Sequence, residues 1–159
     1  MTKTKKRMLL CILLLCATLV FIWGNSLNTG TDSAAASGRV MTFIKTLLGL
    51  DADTAEAMHP IIRKIAHFTE FACLGMLLTW LHGMMGEKKG HLFMIPLLWS
   101  LAAACVDETI QAFVPDRVSA TMDIWIDTCG AAAGIIILLL GYHYICKKQT
   151  NKTFLEETT

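Results

Sequence analysis

From Met8 to Thr31 the chain carries no charged residue, and Met8 to Trp23 is almost unbroken hydrocarbon. Three more apolar blocks follow, from about Ile65 to His82, His91 to Phe113 and Met122 to Cys146. At a rise of about 1.5 Å per helical residue, blocks of this length match the roughly 30 Å hydrocarbon core of a bilayer. A segment in lipid must pair its own backbone groups, so each block is expected to be a helix. A soluble helical bundle would instead need a polar face on every helix at 3.6-residue spacing. The run Gly134-Ile135-Ile136-Ile137-Leu138-Leu139-Leu140 offers none. Only 17% of the residues are charged, too few to cover the surface of a water-soluble domain of this size. The net charge of +1 gives no basic field for a nucleic-acid partner.

The expected architecture is an all-α membrane protein, a single domain over residues 1–159. Its four transmembrane helices should lie at about 8–24, 62–82, 91–113 and 122–146, with an outer loop at 25–60 and a cytoplasmic tail at 147–159. The first block, after Lys3, Lys5, Lys6 and Arg7, has the outline of a secretory signal. It is longer than a typical signal core, and no small-x-small site follows Trp23 directly, so a retained helix is expected. Nine of the 14 basic residues flank the blocks on one side: Lys3, Lys5, Lys6, Arg7, Lys88, Lys89, Lys147, Lys148 and Lys152. The other side holds Arg39, Lys45, Arg63, Lys64 and Arg117. This asymmetry places both termini in the cytoplasm. In the outer loop, Val40, Phe43, Ile44, Leu47 and Leu48 recur at helical spacing, with Asp32 or Ser33 as cap and Gly49 as stop. That pattern predicts a short amphipathic helix. Asp53 and Glu56 then cap one further turn, and Pro60 is expected to break the chain before the second span.

Charged side chains inside a bilayer cost roughly 2.5–3.5 kcal/mol each at its centre and persist when they are paired or when they act. Here they cluster. Arg63, His67 and Glu70 share one helical face, Asp107, Glu108 and Gln111 end the third block, and Asp123 and Asp127 open the fourth. With both termini inside, all of these positions fall in the outer half of the membrane. The cations Arg63, Lys64 and Arg117 are outnumbered by Glu70, Asp107, Glu108, Asp116, Asp123 and Asp127. Crowded carboxylates then share protons or bind a cation.

The segments Arg63-Lys64-Ile65-Ala66-His67-Phe68-Thr69-Glu70-Phe71, Asp107-Glu108-Thr109-Ile110-Gln111-Ala112-Phe113-Val114-Pro115-Asp116-Arg117 and Asp123-Ile124-Trp125-Ile126-Asp127 with Gly130 and Gly134, in that order, closely resemble the VanZ-like family. Asn25-Ser26, with Ser33 and Ser37, is similar to the family's outer segment. The chain departs from the family at Asp127, where members commonly carry Asn. The resemblance implies a small bacterial membrane protein associated with low-level resistance to the glycopeptide teicoplanin. It supplies a compartment and a phenotype rather than a reaction.

The residues suggest roles. Arg63, Lys64 and Arg117 are the available anion contacts, and Arg117, held after Pro115, suits a phosphate or else pairs with Asp123 or Glu108. His67, with an ordinary pKa of about 6.5, is a proton donor or acceptor, or a structural partner of Glu70 or Glu108. His67, Glu70, Asp107 and Glu108 are the catalytic candidates. Together with Arg63, Lys64, Gln111, Arg117, Asp123 and Asp127 they make up the candidate ligand-binding set. Gly130 and Gly134 form a small-residue face for helix packing. His67 with Glu70, joined by Asp107, Glu108 and Asp127, has the makings of a metal site. A lone histidine among carboxylates would suit Mg, Mn or Ca, but the nearby arginines already offer counter-charge, so no metal and no cofactor is expected. The expected partners are the lipid bilayer and a lipid-linked cell-wall precursor or lipoglycopeptide. The alternatives are an intramembrane enzyme acting on an envelope lipid, and a structural or regulatory membrane partner.

Overall fold

The computed structural model describes residues 2–28, 38, 41–43, 46–47, 49, 52–88, 90–115 and 121–157. Among them the chain is helical, in four long elements: α1 (Lys3–Ser26), α2 (Ala52–Met84), α3 (His91–Ala112) and α4 (Thr121–Glu157). The Thr2 side chain caps α1 by accepting from the Lys5 amide at 3.3 Å. The α2–α3 connection turns at Gly86, whose φ of 80° lies in the region that favours glycine. The hydroxyls of Thr18, Thr69, Thr79, Ser100, Thr109 and Thr128 each donate to the carbonyl four residues earlier. This disposes of a polar group without needing water.

Three spans, Lys3–Ser26, His91–Ala112 and Thr121–Ile145, are long and apolar enough to cross a membrane. The bundle is also inverted relative to a soluble one. Leu13, Val20, Trp99, Ile137 and Leu140 are exposed on its outside, whereas Ser26, Asp107, Gln111 and Asp127 are fully buried. Water would reverse that arrangement and lipid favours it. The protein is therefore a multi-pass membrane protein. α2 is the central element and packs against the other three, while α3 also touches α1 and α4. Phe71 and Leu74 of α2 meet Cys11, Leu15 and Ile22 of α1, Ala103 and Ala104 of α3, and Ala131 of α4 in the apolar core.

Two boundaries differ from the sequence reading. The outer loop does not run to residue 60: α2 already begins at Ala52 and continues through Pro60. A proline removes one hydrogen bond and strains the turn before it, but here the helix continues through that one missing bond. The fourth apolar span closes at Ile145, close to its expected end. Residues 147–157 beyond it continue α4 as helix, because no glycine or proline follows Gly141 to stop it. Between α1 and α2, residues 41–43 and 46–47 are helical, with Phe43 and Leu47 exposed. Asp32, Ser33, Val40, Ile44 and Leu48 lie outside the described residues.

Candidate functional site: a buried polar cluster at one end of the bundle

The helices alternate in direction, so the end of α1, the first half of α2, the end of α3 and the start of α4 meet at one end of the bundle. Asp107 is the centre. Its Oδ1 accepts from the Ser26 hydroxyl at 2.6 Å, and its Oδ2 accepts from Gln111 Nε2 at 2.7 Å. The same Gln111 nitrogen lies 3.3 Å from Ser26 Oγ. Arg63 Nη2 donates to the opposite side of that amide, Gln111 Oε1, at 3.1 Å. This last bond fixes the amide's orientation, because a guanidinium has only donors and must face the carbonyl oxygen. Gln111 then necessarily turns its donor toward Asp107. The chain Arg63–Gln111–Asp107–Ser26 so ties α2, α3 and α1 together, and each fully buried member is satisfied, as burial demands.

Asp127 lies outside this chain. It is fully buried, and neither carboxylate oxygen accepts a hydrogen bond. His67 Nδ1 faces it at 3.8 Å from Oδ1 and lies 4.0 Å from Asp107 Oδ2. One donor atom from each of His67, Asp107 and Asp127, on α2, α3 and α4, lies within 4.8 Å of the other two. The close approach has a backbone cause. A Cβ on Gly130 would strike the Phe68 carbonyl, and one on Gly134 would strike the Ala72 carbonyl. From the other side, Gly75 of α2 leaves room for the Ala131 backbone. Two helices meeting through glycine bring their axes closer than side chains allow. Phe68 follows His67, and Gly130 is one turn beyond Asp127, so the tightest crossing is also what sets the His67–Asp127 distance.

Glu70 sits one turn further along α2 from His67 and takes a side-chain hydrogen bond from Asn25. It also lines a groove of about 490 Å³ between α1 and α2, whose other walls are Leu14, Ala17, Thr18, Phe21, Thr69 and Cys73. That groove is apolar along most of its length and polar where Glu70 adjoins the cluster. Glu108 is buried beside Asp107, Asp123 is half-buried on the first turn of α4, and Lys64 is exposed. Arg117 and Asp116 lie outside the described residues. Six sequence-picked residues, Arg63, His67, Glu70, Asp107, Gln111 and Asp127, therefore meet. Ser26 and Asn25 were absent from the candidate set, yet both reach its members. The available signal was their position, as the last polar residues of the first apolar block at the end where the other clusters lie.

No curated protein and no solved structure matches the chain significantly. The VanZ/LLP1 family model matches residues 9–142, which takes in α2, α3, most of α1, the first part of α4 and every residue of the cluster. By that match the chain belongs to the VanZ/LLP1 family of membrane proteins.

Proposed function

We propose that the protein acts in the bacterial cytoplasmic membrane, with both termini inside, and binds an amphiphilic envelope ligand at this outward-facing cluster. Such a ligand is a lipid-linked cell-wall precursor or a lipoglycopeptide, and its capture contributes low-level tolerance to teicoplanin. One observation carries the reading: an apolar groove between α1 and α2 opens beside a buried polar cluster, and Glu70 belongs to both. An acyl chain suits the groove and a polar headgroup suits the cluster, the usual division of a lipid-binding site into apolar walls and a few placed polar groups. Lys64 and Arg63, with Arg117 between α3 and α4 in the sequence, are the contacts for an anionic headgroup. α2 is the fourth span in this reading.

A second reading is an enzyme acting on an envelope lipid. His67 between Asp107 and Asp127 favours it, since an imidazole flanked by carboxylates is a common general acid–base arrangement.

Teicoplanin susceptibility of a sensitive host expressing the chain tests the proposal. Wild type should raise tolerance severalfold. Glu70→Ala and His67→Ala should remove the gain at unchanged membrane abundance. No gain from wild type, or losses that follow abundance alone, would refute it. Mass spectrometry of envelope lipids separates the two readings, because catalysis requires a changed product and binding leaves the lipids unaltered.

A further inference from the structure

The sequence argues against a metal because arginines stand near the carboxylates. Among the described residues, the two cations of that set, Arg63 and Lys64, do not meet Asp107 or Asp127. Arg63 donates to the Gln111 amide, and Lys64 is exposed. Among the described residues no lysine or arginine lies within ion-pair distance of Asp107 or Asp127. Asp127 is the second, independent observation: a fully buried carboxylate, aimed at His67 and Asp107, with no hydrogen bond on either oxygen. Burying such a group is costly unless something cationic meets it.

We propose that His67 Nδ1, Asp107 Oδ2 and Asp127 Oδ1 form a binding site for a divalent metal cation. Separations of 3.8 and 4.0 Å from His67 Nδ1, with one donor atom from each of the three residues inside 4.8 Å of the others, suit the task. An ion held at about 2.0–2.3 Å from each donor spaces the donors roughly 3–4 Å apart. Side-chain closure of up to about 1 Å brings the three donors to that spacing. One imidazole and two carboxylates fit a borderline or hard dication such as Mn²⁺ or Zn²⁺, and not a thiolate-seeking ion. The surroundings are those of a supported ligand. Ser26 and Gln111 hold Asp107 in place, and Arg63 fixes Gln111 in turn, the kind of outer support that orients a metal-binding carboxylate. Three protein donors leave coordination positions open. His67, with 13% of its side chain exposed, marks the side from which the ion and a further ligand arrive. The site stands on this donor geometry and not on the nature of the envelope ligand.

The test uses the full chain purified in detergent, stripped with EDTA and titrated with Mn²⁺, with the unbound ion read by electron paramagnetic resonance. Wild type should take up one Mn²⁺ per chain. His67→Ala and Asp127→Ala should each weaken uptake at least tenfold, by about the loss expected for removing a ligand or its support. Asp127→Asn, which keeps an oxygen donor, should fall between them and wild type. Glu87→Gln, in the α2–α3 connection at the other end of the bundle from the cluster, should bind as wild type does. Thermal denaturation covers a variant that folds poorly: Mn²⁺ should raise the Tm of stripped wild type and leave that of His67→Ala unmoved. Absence of saturable binding in wild type would overturn the site, as would stoichiometric binding that survives both alanine variants.

Discussion

Two aspartates in one cluster are built for different things. Asp107 has a donor on each oxygen, whereas Asp127 has none. Removing Asp107 strands the buried Ser26 hydroxyl and one donor of Gln111, and each stranded group costs about 1–3 kcal/mol. Asp107→Ala should therefore lower the Tm of the detergent-solubilised protein markedly. Ser26→Ala, which deletes one short bond, should lower it by the equivalent of about 1–2 kcal/mol. Equal Tm values for Ser26→Ala and wild type would mean the 2.6 Å bond contributes nothing to stability. Part of this was legible beforehand. Asp107 and Gln111 lie one turn apart on a single face, and the spacing alone pairs them. Ser26 was not legible as their partner, because it is neutral and sits on a helix far away in sequence. Nor does any local pattern tell that Arg63 faces an amide rather than a carboxylate, since that depends on how α2 and α3 are placed.

Among the elements, the α2–α4 crossing is the tightest joint, and glycine permits it. Gly134→Ala should be strongly destabilising, because the added methyl meets the backbone oxygen of Ala72 and backbone cannot swing away. A loss of about 1–3 kcal/mol is the usual scale for such overpacking. Gly141→Ala, with nothing nearby, should be neutral or stabilising by up to about 1 kcal/mol through helix propensity alone. Comparing the two variants by thermal denaturation isolates packing from propensity, and equal effects would remove the crossing argument. Apolar block length revealed the existence of these helices. Their ends were harder to read: Pro60 looks like a stop, yet α2 runs through it, and helix continues to Glu157 although the fourth apolar span closes near its expected end at Ile145. A single proline removes one bond, and lysines do not oppose helix formation.

At the scale of the whole molecule, an apolar exterior around a polar interior is the arrangement lipid selects, and the proposed orientation rests on the charge bias of the links. In a background lacking the native cysteines, Ser119→Cys should react with an impermeant thiol reagent added outside intact cells, and Lys88→Cys should be protected. The opposite labelling would invert the protein and turn the cluster toward the cytoplasm.

The central claim is that this cluster serves a function and is not merely the glue of the bundle. Asp127 separates the two, because it is buried in the cluster yet contributes no hydrogen bond to it. The decisive measurement is teicoplanin tolerance per unit of membrane-resident protein for Asp127→Ala, taken alongside its Tm. The account predicts that tolerance is lost while the Tm is unchanged or higher. Full tolerance in that variant, or a loss matched by falling abundance and Tm, would contradict it.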